Sequence, residues 1–79
     1  MSKAINNHRY RHFKSPSMIY TVIEADALDT DNLTHLVVYR SEYDSKTHPK
    51  GTVWSRNKAE FEGFKTLEDG TTIERFTEI

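Results

Sequence analysis

Aromatic rings and arginines interleave in three short segments of this 79-residue chain. The segments are Tyr10-Arg11-His12-Phe13, Val37-Val38-Tyr39-Arg40 and Val53-Trp54-Ser55-Arg56. Ring faces stack on bases or prolines, and guanidinium groups hold phosphates or carboxylates through paired hydrogen bonds. The pattern therefore predicts a stacking and anion-holding surface. Half-buried sheet positions with solvated arginines would give the same pattern, and we keep that interpretation open.

Six residues of these segments are candidate ligand-binding residues. Residues two apart on a strand point to the same face, so Trp54 and Arg56 form the central pair, whereas Arg40 points away from Tyr39. In this hypothesis the indole binds a base or a proline and Arg56 binds a phosphate or carboxylate. In the structural alternative Trp54 is the main core residue and Arg56 its surface neighbour. The candidates are Arg11, His12, Tyr39, Arg40, Trp54 and Arg56.

Catalytic and metal-binding motifs are missing from the sequence. His8 and His12 have the four-residue spacing of a helical metal pair, but Arg-Tyr-Arg between them is typical of a strand. The aspartates of segment 26–31 lack the glycine and the distal glutamate of a calcium loop. Three glycines cannot supply a phosphate-binding loop as well as the turns. We therefore expect no enzyme, no metal and no cofactor, since catalysis would require scattered groups such as His12 and Glu24 to converge.

Length and composition indicate a single domain over residues 1–79. A chain of this size buries only about 60–65% of the surface that its unfolded form exposes, so its core is thin. The chain has no cysteine that could reinforce it. Oligomerisation is a common remedy in such small domains, and we expect a homo-oligomer.

Charge and hydropathy restrict location and partners. No apolar run approaches the roughly 18 residues of a membrane span or forms a secretory signal, so we expect a cytoplasmic protein without a membrane partner. The net charge is -1. Proteins that bind duplex nucleic acid are usually basic, which disfavours that partner. The early basic residues Lys3, Arg9, Arg11 and Lys14 leave a single-strand binder open.

The chain reads as a series of β-strands after a frayed lead-in over residues 1–8. Strands are predicted at 9–14, 18–25, 33–43, 52–56, 64–68 and 71–76, with exposed loops at 26–32 and 44–51. Asn57 is expected to cap a helical turn over 58–61, and Asp69-Gly70 to form a hairpin turn. Phe13, Phe61, Phe64 and Phe76 are expected in the core. The fold class is all-β: a small antiparallel barrel or roll of five to six short strands with one short helical turn.

Five blocks of residues 9–79 resemble, in order and spacing, an uncharacterised family of short bacterial and phage domains of unknown function. The blocks are Tyr10-Arg11-His12-Phe13-Lys14, Tyr20-Thr21-Val22, Leu36-Val37-Val38-Tyr39-Arg40, Val53-Trp54-Ser55-Arg56 with Phe61, and Arg75-Phe76 with Ile79. The resemblance implies an SH3-like barrel-roll fold and no particular activity. Ser15 replaces a usual glycine, Asn57 replaces a usual proline and the 43–51 connection is longer, so turn geometry should differ there.

Three functions are consistent with these observations. The first is a noncatalytic binding module for a small anionic ligand, with a nucleotide or nucleotide-derived signal as the leading ligand. A phage-encoded member could act as a sponge for a host signalling nucleotide. The second is an SH3-like module that binds a protein or peptide in a shallow aromatic groove. The third is a single-stranded nucleic-acid binder with strongly salt-dependent affinity.

Overall fold

The computed structural model describes residues 3–79, which form seven strands and one short helix. Five strands make one antiparallel sheet, and the other two form a separate hairpin. The sheet strands are β1 (Arg9–His12), β2 (Ile19–Leu28), β3 (His35–Ser41), β4 (Val53–Asn57) and β7 (Phe76–Glu78). Their order across the sheet is β4-β3-β2-β1-β7. The hairpin pairs β5 (Phe64–Thr66) with β6 (Thr72–Glu74). The predicted small all-β roll is confirmed, with seven strands rather than five or six.

The core lies on the inner face of the five-stranded sheet. On β1 and β3 alternate residues point there, so burial follows the two-residue period of a strand. On β3, for example, Val37 and Tyr39 are buried while Arg40 is exposed. The fully buried side chains are Tyr10, Val22, Val37, Phe61 and Phe76. Three of these five are aromatic rings, which supply large apolar area to a thin core.

The predicted helical turn is present as α1 (Lys58–Phe61) and closes one side of this core. The Asn57 side chain accepts hydrogen bonds from the backbone N–H groups of Ala59 (2.9 Å) and Glu60 (3.3 Å). Phe61 at the other end of α1 stacks on Phe76, with ring centroids 4.0 Å apart. Gly63 follows the helix, and a Cβ at this position would lie 2.8 Å from the Ala59 carbonyl oxygen, so any side chain there would require the backbone to shift.

Replacing the N-cap residue Asn57 is expected to lower the free energy of unfolding by about 1 kcal/mol. Asn57→Ala leaves the Ala59 and Glu60 N–H groups without the side-chain acceptor, and losses of this size are usual for N-cap residues. Asn57→Ser, which restores a side-chain acceptor, is the matched control and should recover most of the loss. Urea unfolding of the three proteins checks this; equal stability of the serine and alanine variants would contradict it.

The second strand is longer than predicted. Residues 26–28, expected in a loop, continue β2 to Leu28, and register shifts interrupt its pairing with β3 between Val22 and Ala27. His35 Nδ1 and Asp26 Oδ1 lie 2.6 Å apart across this pair. The polar residues that suggested a loop are instead tolerated on an irregular and exposed strand end, because bulges accommodate such residues.

The C-terminal segment also differs from the prediction. The strand expected over 71–76 is divided at Arg75, whose N–H donates to the Gly63 carbonyl. Phe76 then begins β7, which pairs with β1 at the opposite end of the chain. Phe64 is 55% exposed, so its predicted core position is wrong. It lies on the separate hairpin, whose two short strands offer little apolar surface to cover it.

Residues 3–8, which belong to the predicted lead-in, form no strand and contact the rest of the domain at several points. Tyr10 holds this segment, because its hydroxyl donates to the Lys3 carbonyl (2.8 Å) and accepts from the Ile5 N–H (2.9 Å). Ala4 is buried, and its N–H donates to Glu62. Residues 1 and 2 of the predicted lead-in lie outside the described residues. Within residues 3–79 no helix is long and apolar enough to cross a membrane.

Candidate functional site

Three of the six candidate residues lie against Phe76 on the inner face of the sheet, and a fourth, Trp54, lies on the same face. The His12 and Phe76 ring centroids are 4.9 Å apart, and those of Tyr39 and Phe76 are 5.7 Å apart. The Arg56 guanidinium carbon lies 5.6 Å from the Phe76 centroid. Trp54 is the β4 partner of Tyr39 and also points inward. We call His12, Tyr39, Trp54, Arg56 and Phe76 the ring-arginine cluster.

The other two candidates, Arg11 and Arg40, lie on the outer face. Strand alternation places Arg11 between inward-pointing Tyr10 and His12, and Arg40 between inward-pointing Tyr39 and Ser41. Arg40 pairs with Glu42, with Nε and Oε2 3.3 Å apart. The structure therefore does not bring these arginines together with Trp54 and Arg56, although their neighbours in sequence belong to the cluster.

Arg56 is held by long contacts that leave its hydrogen-bonding capacity partly free. Its Nε donates to the Tyr39 hydroxyl at 3.4 Å, and its Nη1 lies 3.4 Å from Oε1 of the exposed Glu60. The side chain is 29% exposed. A guanidinium has five N–H donors in a fork that fits carboxylate or phosphate oxygens, so donors remain for an incoming anion.

His12 is an uncharged ring in a positively charged neighbourhood. Burial, together with the positive charges of Arg56, Lys14 and Arg75, lowers the pKa of His12 to about 4. Its Nδ1 accepts a hydrogen bond from the Lys14 N–H at 3.2 Å. An anion bound near these three cations would be attracted to them and would raise the pKa of His12.

Two N–H donors near this cluster are buried without an acceptor among the described residues. They are Trp54 Nε1 and Arg75 Nε. The Trp54 indole contacts the His48 ring edge-on, with centroids 4.7 Å apart, but forms no hydrogen bond there. Buried polar groups are nearly always satisfied, and both exceptions here are donors. The region is therefore deficient in acceptors rather than in donors.

Tyrosine hydroxyls add a polar side to the cluster. The Tyr20 and Tyr43 hydroxyl oxygens are 2.7 Å apart, and the Tyr20 ring packs against both Tyr39 and Phe76. Burial and the hydrogen bond to Tyr43 raise the pKa of Tyr20, so this hydroxyl stays protonated and can serve as a donor.

Sequence reasoning missed four residues of this region: Lys14, Tyr20, Tyr43 and Arg75. Lys14 and Arg75 follow or precede residues that were singled out, so the signal available was proximity to His12 and Phe76. Lys14 is only two residues from His12 in sequence. The position of Arg75 depends on the pairing of β1 with β7, in which His12 lies opposite Phe76. This pairing joins residues more than sixty positions apart and leaves no local pattern.

The site is a surface rather than an enclosed cavity. Residues 3–79 enclose no detectable pocket, and they contain no group of three His, Asp or Glu side chains placed to hold a metal ion. His12 and Tyr39 are buried, whereas Trp54 and Arg56 are half-buried. A ligand would therefore meet the indole and the guanidinium first, with the other rings beneath them.

Comparison with known proteins shows a family relationship without an activity. Neither a curated protein nor a solved structure matches the chain. The profile of a family described as "Protein of unknown function (DUF1653)" matches residues 8–78, which includes all seven strands. This chain is therefore a member of the DUF1653 family of proteins of unknown function.

Proposed function

We propose that this domain is a noncatalytic binding module for a small anionic ligand, and that the ligand is a nucleotide or nucleotide-derived signal. The observation that carries the proposal is the Arg56 guanidinium, which is 29% exposed and held by two contacts of 3.4 Å, on the strand that also carries Trp54. Phosphate oxygens are acceptors that carry negative charge, and they would bind the remaining donors of this guanidinium.

The ring-arginine cluster provides two kinds of contact that a nucleotide needs. Arg56 would bind a phosphate, and Trp54 would stack on the base. Base stacking on an aromatic side chain contributes about 1–3 kcal/mol, and a hydrogen bond to a charged group about 1.5–3 kcal/mol. These two residues are two apart on β4, so their side chains project about 7 Å apart on one face. His12 would contribute as a neutral ring, without proton transfer.

A panel of ligands tests the proposal by thermal shift. Mononucleotides, cyclic nucleotides and dinucleotides are compared with single-stranded oligonucleotides and proline-rich peptides, each at two salt concentrations. A ligand present at a hundred times its dissociation constant raises the free energy of unfolding by about 2.7 kcal/mol. For a domain of this size, that corresponds to a rise in Tm of about 10 °C or more.

Arg56→Gln should weaken nucleotide binding by about 10- to 100-fold, because it removes a charge-assisted hydrogen bond worth about 1.5–3 kcal/mol. Arg11→Gln is the matched control, because it removes the same charge from the exposed outer face, and it should leave affinity nearly unchanged. Isothermal titration of both variants measures this. Equal losses in the two variants would contradict a localised site and indicate general charge attraction.

One observation favours a second candidate, a protein or peptide interaction module. The absence of an enclosed cavity in residues 3–79 suits an extended chain better than a compact molecule. This candidate predicts Tm shifts with peptides and none with nucleotides. Shifts with oligonucleotides alone, lost at the higher salt concentration, would instead favour single-stranded nucleic acid. A cytoplasmic location is part of the proposal in each case.

A further inference from the structure

β4 lies at one end of the five-stranded sheet, and within residues 3–79 no strand pairs with its other side. The Ser41 N–H donates to the Thr52 carbonyl, on the β4 side, and the Glu42 N–H donates to the Ile19 carbonyl of β2. Successive residues along β3 therefore form backbone hydrogen bonds alternately toward β4 and toward β2. This alternation directs the backbone groups of Trp54 and Arg56 toward β3. Those of Val53 and Ser55, and the N–H of Asn57, point to the free side of the sheet.

This free side lacks proline and lysine, two of the usual protections against pairing, and its one inward-pointing charge is Arg56. Natural edge strands are blocked by proline, by lysine or by an inward-pointing charge close to the edge. β4 has neither proline nor lysine, Ser55 is exposed and Val53 is 58% exposed. Lys58, the next residue, is turned away, because its Nζ bonds the Ala25 carbonyl (2.8 Å) and Glu62 (3.1 Å).

We propose that β4 pairs antiparallel with β4 of a second copy of this chain, about a two-fold axis through Ser55. In this register Ser55 faces Ser55, and Val53 faces Asn57. The N–H and C=O groups of Ser55 then bond those of the second copy's Ser55, and the Asn57 N–H bonds the Val53 carbonyl, since the Asn57 carbonyl accepts the first intrahelical bond of α1. A two-fold axis closes the assembly at a dimer and gives one continuous sheet of ten strands, twice the five of one copy.

Side-chain pairing favours this register over its neighbours. It places Trp54 opposite the second copy's Arg56 at a site without backbone hydrogen bonds, where side chains approach most closely. An indole beside a guanidinium is an attractive pair. A register centred on Arg56 would oppose two guanidinium groups, and one centred on Trp54 would place Asn57 opposite Gly51, beyond the end of β4.

The dimer would double the cluster on one face of the shared sheet. Each Trp54 would then lie between Arg56 of its own strand and Arg56 of the second copy. The partner thus contributes a residue to the candidate site. The association itself requires no ligand, so its test is independent of the proposed function.

Sedimentation velocity over a range of protein concentrations provides the first test. We expect the wild-type chain to sediment as a dimer and Ser55→Pro as a folded monomer. Proline removes the central N–H, and edge strands tolerate it where the N–H points outward. Ser55→Thr keeps the N–H and should remain dimeric. A monomeric wild-type chain, or a dimer that persists in folded Ser55→Pro, would overturn the proposal.

Cross-linking tests the register even if the proline variant fails to fold. The chain has no cysteine, so Ser55→Cys introduces a single thiol. Residues facing each other at a hydrogen-bonded position have Cα atoms about 5.5 Å apart, within the range for a disulfide. Mild oxidation should link Ser55→Cys efficiently and Thr77→Cys, an exposed position on β7, poorly. Equal yields from the two variants would overturn the proposed register.

Discussion

Phe76→Ala is expected to destabilise the domain by about 3–5 kcal/mol, the usual cost of truncating a fully buried phenylalanine. Phe76 is 1% exposed and stacks on Phe61. It also contacts the rings of His12, Tyr20 and Tyr39 edge-on, so its removal opens a cavity at the centre of the ring contacts. The free energy of unfolding of a native domain is about 5–15 kcal/mol in total, so this single substitution removes a large fraction of the stability.

Phe64→Ala is the matched control, because it deletes the same side chain where it is 55% exposed. Substitutions at such exposed positions usually change stability by less than about 0.5 kcal/mol. Urea unfolding followed by circular dichroism measures both variants. Similar losses in Phe64→Ala and Phe76→Ala would contradict the arrangement described, since they would require Phe64 to be packed in the core.

Acidification is expected to destabilise the domain through His12. The pKa of this ring is lowered to about 4 in the folded state, from about 6.5 in the unfolded state. Below pH 6.5 the unfolded chain binds a proton that the folded chain excludes, so unfolding becomes more favourable. The stabilisation is complete above pH 6.5 and is lost as the pH falls toward 4.

The size of this effect is limited by solvent. At about 1.4 kcal/mol for each unit of pKa, the full shift would correspond to about 3 kcal/mol. The cations that contribute to the shift lie beside a surface site, where water and salt screen them, so we expect about 1–2 kcal/mol.

His12→Phe and His12→Gln should both flatten this part of the pH dependence. Neither side chain titrates, so the two profiles should have the same reduced slope between pH 7 and pH 4.5, even though their absolute stabilities differ. The difference in slope between the wild type and the variants reports on His12 alone, because the carboxylates also titrate in this range and are the same in all three proteins. Urea unfolding at several pH values checks this. An unchanged slope in both variants would show that His12 is not the group responsible.

The amino-acid sequence was sufficient to predict the class of fold and much of its local structure. Alternating aromatic and β-branched residues predicted the main strands, and Asn57 predicted the start of α1, because these signals act between residues close in sequence. Strand alternation also predicted that Trp54 and Arg56 share a face of the sheet and that Arg40 points to the face opposite Tyr39, and the structure confirms both.

Other features depend on contacts between distant parts of the chain. Phe64 and Phe76 look alike in sequence, and only the pairing of β7 with β1 decides that one is exposed and the other central. The same pairing brings Arg75 close to His12, whereas Lys14 is near His12 in sequence and strand alternation places Arg11 on the outer face. Short-range pattern specifies which way a side chain points from its strand. Which strands become neighbours is decided by the burial of the whole core, so the composition of the candidate site was settled only in the tertiary structure.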